Sequence, residues 1–154
     1  MEAITKTAEE TADNELAITR ILNAPIELVW EVWTDPKHIA QWWGPIGFFT
    51  TIQHMEIKEG GEWDLVMHGP DGVEYKNKNI FSKVIKPELI VFKHVTPPIF
   101  TATITFKKQD AKTELTMKMV FESATDYSLA INKHGAKEGQ KQTIARLKDY
   151  VENI

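Results

Sequence analysis

Residues 23–45 read NAPIELVWEVWTDPKHIAQWWGP and hold four of the chain's five tryptophans. Pro25 suits the first position of a helix, where its missing amide hydrogen would have no intrahelical partner, and Glu27 in that turn complements the helix dipole. Ile26, Val29, Trp30 and Trp33 then fall on one face. Asp35 followed by Pro36 reads as an N-cap, so a second helix starts almost where the first ends and carries Ile39, Trp42 and Trp43 toward Gly44 and Pro45. Two short helices meeting at an angle are expected. Bulky aromatic helices beside a curved sheet are a common way to enclose an apolar chamber.

On the N-terminal side, Leu16, Ile18, Ile21 and Leu22 mark a first strand from Glu15 to Asn23. Residues 1–14 are rich in Thr, Glu and Ala without an apolar period, and are expected to be a mobile lead-in to a single domain over 15–154. Beyond Phe48 the pattern turns to strands at 50–57, 62–68, 73–85, 89–96, 99–108 and 113–121. They are separated by Gly60-Gly61, Gly69-Pro70-Asp71-Gly72, Lys86-Pro87, Pro97-Pro98 and the polar run 109–112. With the first, these make seven antiparallel strands.

Parity within the strands assigns an inner face to Trp63, Leu65 and Met67; to Ile90, Phe92 and His94; to Ala102, Ile104 and Phe106; and to Leu115, Met117, Met119 and Phe121. Their pleat neighbours are mostly Thr, Lys, Glu and Asp, so one face is dry and one wet. The cover for the dry face is a C-terminal helix with Ile144, Leu147, Val151 and Ile154 on one stripe. A shorter helix over 123–133, stopped by Gly135, precedes it. The fold class is α+β.

The chain has 154 residues, enough for one core that buries roughly 70% of the unfolded surface. Its 18 basic and 22 acidic side chains give a net charge of -4, which offers no attraction to nucleic acid or to an anionic membrane. No apolar run approaches the roughly 20 residues of a bilayer span, and the first 15 residues are too polar for a signal peptide, so a soluble cytoplasmic protein is expected. Without cysteine, there are no disulfides, thiol nucleophiles or thiolate metal sites.

Ligand contact is expected from tryptophans and thioethers, which offer broad, adaptable apolar surface. Trp33, Trp43 and Trp63 are the aromatic candidates, with Met67, Met117 and Met119 on facing strands. Leu65, Phe92, Ile104, Ile144 and Leu147 share the same dry side. His94 has inward parity and would orient a polar group. Tyr75, Asn77 and Asn79 share one face of the fourth strand, and the sequence leaves open whether that face is inner or solvated. Tyr75 and Asn79 are carried as site residues on the inner alternative. His54, His68 and His94 lie on different strands without a ligand spacing, so no metal or other cofactor is expected, and no catalytic set stands out. Gly139 sits inside a helical pattern, where close approach by a strand backbone or by cavity contents would explain it.

The order strand, two short helices, six strands, long helix resembles the helix-grip fold of the START and birch-pollen-allergen superfamily (SRPBCC). Within it, Val29-Trp30, Trp33-Thr34-Asp35-Pro36, Trp42-Trp43-Gly44-Pro45, Gly60-Gly61, 67–72 and 134–139 resemble the family named for homology to the activator of the Hsp-90 ATPase. The resemblance implies a hydrophobic cavity between the curved sheet and the last helix. It also implies three kinds of function known among such proteins: non-enzymatic binding of a small hydrophobic or amphipathic molecule, co-chaperone action on the Hsp-90 ATPase, and cyclase or dehydratase chemistry. The first is the leading expectation, in a monomer or weak homodimer, with a chaperone as the alternative partner. Family members often carry an aromatic after the last motif's glycine, where this chain has Gln140.

Overall fold

A computed structural model describes residues 14–154, so the expectation for the lead-in falls, apart from Asn14, outside the described residues. β1 (Glu15–Leu22) is followed by α1 (Ile26–Thr34) and α2 (Pro36–Trp42). Then come β2 (Phe49–Met55), β3 (Glu62–His68), β4 (Glu74–Ile85), β5 (Leu89–His94), β6 (Phe100–Gln109) and β7 (Lys112–Phe121). The chain continues through α3 (Ala124–Ser128), a π-helical turn (Leu129–Lys133) and α4 (Ala136–Glu152). The seven strands form one sheet in the order β1-β7-β6-β5-β4-β3-β2, every neighbouring pair antiparallel. After β1 the chain crosses to the far edge through α1 and α2, and then meanders back until β7 lies against β1. This is the expected α+β helix-grip architecture.

Local chemistry sets the helix boundaries. Pro25 is extended, with ψ 152°, and caps α1 instead of occupying its first turn, so the expected start shifts by one residue. Asp35 terminates α1 and accepts the backbone N–H of Lys37 at 2.9 Å, with Pro36 opening α2 as read from the sequence. Gly135 does double duty: its left-handed backbone (φ 60°) closes the π-helical turn and starts α4. Ile154 lies past the end of α4 and is largely exposed. The C-terminal stripe therefore consists of Ile144, Leu147 and Val151.

Parity holds on the inner face, where all the assigned residues are buried except Met67, which is half-buried. Register shifts at Ile52/His54 and Phe81/Lys83 bend the strands and increase local twist, which makes one face concave. No helix among the described residues is long and apolar enough to cross a membrane.

The concave face is filled unevenly. Trp33 stands edge-on to Trp42, Trp43 and Phe106, with ring centroids at 4.8, 5.8 and 6.1 Å, and Trp30 packs on Phe106 at 5.2 Å. Such pairs each add about 0.5–1.5 kcal/mol beyond the area they bury. Trp42 also donates its indole N–H to the Val32 carbonyl at 3.1 Å, fixing the angle between α1 and α2.

α4 is pinned to this cluster by Arg146. Its guanidinium donates to the carbonyls of Gly44 at 2.8 Å, Pro45 at 3.1 Å and Gln41 at 3.3 Å, so one side chain satisfies the end of α2 and the loop beyond it. Further along, Lys148 reaches the Ile21 carbonyl and Glu152 accepts the Asn23 N–H, tying the end of α4 to β1. Arg146→Met keeps most of the packing stem and removes these bonds. It is expected to lower unfolding stability by about 2 kcal/mol, the scale of charged hydrogen bonds, in urea titrations. An unchanged midpoint would show that the carbonyls are served without it.

Candidate functional site

Between the first half of α4 and strands β3 to β7, a cavity of about 500 Å³ remains. That is within the range of about 300–1,000 Å³ typical of small-molecule sites. Its apolar wall is made by Trp43, Phe48, Leu65 and Phe92, by Phe100 and Phe121, and by the thioethers of Met67, Met117 and Met119. Its helical side is Ala136, Gly139, Gln140 and Thr143. Polar groups enter from Tyr75, Lys76, Asn77, Asn79 and His94 on the strands, and from Lys133 and His134 at the turn before α4. No Asp or Glu belongs to the lining.

The structure answers the question left open for β4: Tyr75, Asn77 and Asn79 all line the cavity. Of the residues singled out from the sequence, Trp43, Leu65, Met67, Tyr75, Asn79 and Phe92 border the hollow, as do His94, Met117 and Met119. Five do not. Trp33 and Trp63 are inside the solid aromatic cluster, Trp63 being wedged between Trp43 at 5.0 Å, Phe92 at 5.2 Å and Phe81 at 6.0 Å. Ile104, Ile144 and Leu147 are fully enclosed core residues, because the later part of α4 is pressed onto the molecule by Arg146 and Lys148. Parity marks a residue as inward but not as bordering a void.

Several lining residues escaped selection. Phe100 shares the parity of Ala102 and Ile104, so extending that strand's pattern by two residues would have found it. Phe48, Pro98 and His134 come from loops, where no periodicity is available to read. Gly139 faces the cavity and not a strand backbone: a Cβ added there would meet only Pro45 Cγ, at 3.5 Å. Gln140 is buried and donates to the Met117 carbonyl at 3.2 Å, joining α4 to β7 beside the hollow.

The polar wall is a short network. His94 Nδ1 lies 2.8 Å from the Pro98 carbonyl, its Nε2 faces Asn77 Oδ1 with Thr96 Oγ1 at 3.3 Å, and its ring stacks on Phe100 at 4.6 Å. Asn77 Nδ2 donates to the Tyr75 carbonyl at 3.0 Å, which turns its oxygen toward the imidazole. Burial pushes the His94 pKa below its ordinary 6.5, outweighing the upward pull of the Pro98 and Thr96 backbone. His134, beside Tyr75, is also lowered, by burial and then by Lys133. Asn79 is the most enclosed of these residues. Its Nδ2 is 3.5 Å from the Trp63 carbonyl, and its Oδ1 has no hydrogen-bond partner among the described residues.

The histidines considered for metal binding take separate partners: His54 pairs with Glu56, His68 with Thr51 and Glu74, and His94 with the network above. A second group, Glu31, Asp35 and His38, brings its ligand atoms within 4.8 Å of one another. Its members are already used: Asp35 caps α2, while His38 contacts Tyr150 Oη at 2.8 Å and Glu31 at 3.2 Å.

Solved structures of similar shape share little sequence. A protein from Arthrobacter aurescens superposes with a TM-score of 0.85 at 22% identity, covering 92% of this chain and 88% of its own. One from Chromobacterium violaceum gives 0.81 at 21% identity, covering 93% and 100%. An AHSA1-like protein from Aeromonas hydrophila gives 0.73 at 23% identity, covering 90% and 92%. No functionally curated protein matches the chain. The profile of the family described as "Activator of Hsp90 ATPase homolog 1-like protein" matches residues 23–152, which span the tryptophan helices, the strands bordering the cavity and α4, and the chain belongs to that family.

Proposed function

We propose that the chain binds a small, predominantly apolar molecule in the cavity beneath the first half of α4. The observation that carries this reading is the hollow itself: about 500 Å³ walled by aromatic rings and three thioethers, with its few polar groups gathered on β4 and β5. Interiors are normally packed to crystal density, whereas this partly open pocket leaves water against a mostly apolar lining and forfeits part of the dispersion contact that a packed interior has. A ligand restores those contacts and removes its own apolar surface from water, at about 25 cal/mol per Å². Flexible methionines suit a wall that adjusts to its contents.

Labelling the methionine methyl groups with 13C and titrating 2-methylnaphthalene or 1-decanol tests this directly. Met67, Met117 and Met119 are expected to shift together, whereas Met55, on β2 outside the lining, stays in place. Silence from all three would refute the proposal. Gly139→Phe directs a ring into the hollow from α4 and is expected to abolish the shifts while the chain stays folded. Gly139→Ala meets only ordinary contact with Pro45, retains binding and raises stability by about 1 kcal/mol through helix propensity.

The polar wall adds a pH dependence whose sign follows from burial. His94 in the folded chain binds its proton less readily than at its ordinary 6.5, so below that value the unfolded chain holds more protons. The contribution is fully present above pH 6.5 and is lost as pH falls through the lower folded value. Comparing urea unfolding at about pH 7.5 and about pH 5, His94→Gln is expected to show a smaller loss than the unmodified chain. An equal loss in both would place the dependence elsewhere, with His134 the next group to replace.

A further inference from the structure

Resting on the reading of the cavity as a ligand site, we infer that its occupant is an uncharged, largely apolar molecule carrying a hydroxyl group, which donates to Oδ1 of Asn79. Asn79 is 2% exposed, lines the cavity, and has a carboxamide oxygen with no donor among the described residues. Buried acceptors are rarely left in that state, since the desolvation of the group is then uncompensated. Its own N–H is directed away, toward the Trp63 carbonyl.

The neighbouring groups do not make up the deficit. Asn77 Oδ1 and the Pro98 carbonyl flank a single His94 ring, and a neutral imidazole has one N–H to share between them. The Asn77 amide N–H is already given to the Tyr75 carbonyl. Immediately around Asn79 acceptors therefore outnumber donors, while the Tyr75 hydroxyl and the Lys76 ammonium lie three or four residues away along β4, and this local imbalance selects what sits against Asn79. An ionised carboxylate only accepts, so against Asn79 Oδ1 it would set acceptor against acceptor; the cations of the lining, Lys76 and Lys133, stand elsewhere on its border. An ammonium group donates but is a charge, and the lining has no Asp or Glu to pair with it, while Lys76, Lys133 and His134 border the same space. A hydroxyl supplies the missing donor with the least polarity for the aromatic and thioether walls to tolerate.

The test uses 2-naphthol and 2-methylnaphthalene, which exchange an O–H for a methyl group of similar size. Dissociation constants for both come from the methionine-methyl titration, on the unmodified chain and on Asn79→Leu. The ratio of the methylnaphthalene constant to the naphthol constant is expected to fall about tenfold in the variant, the effect of one hydrogen bond to a buried acceptor. In the unmodified chain, the side-chain 15N amide signals of Asn79 are expected to shift with naphthol and to stay put with methylnaphthalene. If both probes bind and neither the ratio nor the Asn79 signal distinguishes them, the hydroxyl inference is overturned and the cavity reading stands. If neither probe binds the unmodified chain, the cavity reading itself falls, and the inference with it. Should Asn79→Leu fail to fold, the Asn79 amide signal decides alone.

Discussion

Seven antiparallel strands present a concave apolar face longer and broader than one helix can cover, and the rest of the structure follows from how that mismatch is met. α4 has 17 residues and so runs about 26 Å. Toward β1 and the crossover helices, its Ile144, Leu147 and Val151 are pressed onto the sheet, and the interlocked indoles of α1 and α2 fill what remains. Toward the π-helical turn, the helix carries Ala136 and Gly139, which are too small to reach the strands, and Gln140, which touches β7 through its amide bond to the Met117 carbonyl. The void lies where bulk is missing. Arg146 keeps the two halves in this relation, because by holding the loop after α2 to the middle of α4 it prevents the helix from settling deeper over β4 and β5.

Much of the architecture was legible because its determinants are local. β3 runs over the very residues read from the sequence, and the Asp35-Pro36 cap starts α2 through a contact two residues away. The inward sets on β5, β6 and β7 need only period two and a dry side. The site was less legible because a void is a property of neighbours. Trp63 and Leu65 have the same strand, the same parity and near-equal burial, yet only Leu65 borders the hollow, since Trp43, Phe81 and Phe92 converge on Trp63 from elsewhere in the chain. Tyr75, Asn77 and Asn79 were ambiguous for the opposite reason. Polar residues on a strand ordinarily mark the solvated face, and only the register of β4 against β3 and β5 turns these three inward.

On the proposed reading of the cavity as a ligand site, its two walls divide the work of recognition. Thioethers and rings provide contact that is strong in sum and indifferent to pattern, so they set how much apolar surface is accepted. The β4–β5 wall is rigid by comparison: His94 is held at both ring nitrogens and stacked on Phe100, and Asn77 is held at both ends of its amide. A rigid polar patch rejects what does not complement it, so on the same reading it is the source of selectivity. The chaperone-directed alternative receives no comparable support from the geometry, because it concerns surface contacts and the features described here point inward.

The likeness to structures sharing only about a fifth of their residues sharpens where function must reside. A TM-score of 0.85 at 22% identity means that the fold is kept while most residues differ. Shape alone therefore cannot carry an activity from one member to another. Gln140 illustrates the consequence. Where the resemblance leads one to expect an aromatic ring, this chain buries an amide that bonds to the Met117 carbonyl at the edge of the cavity.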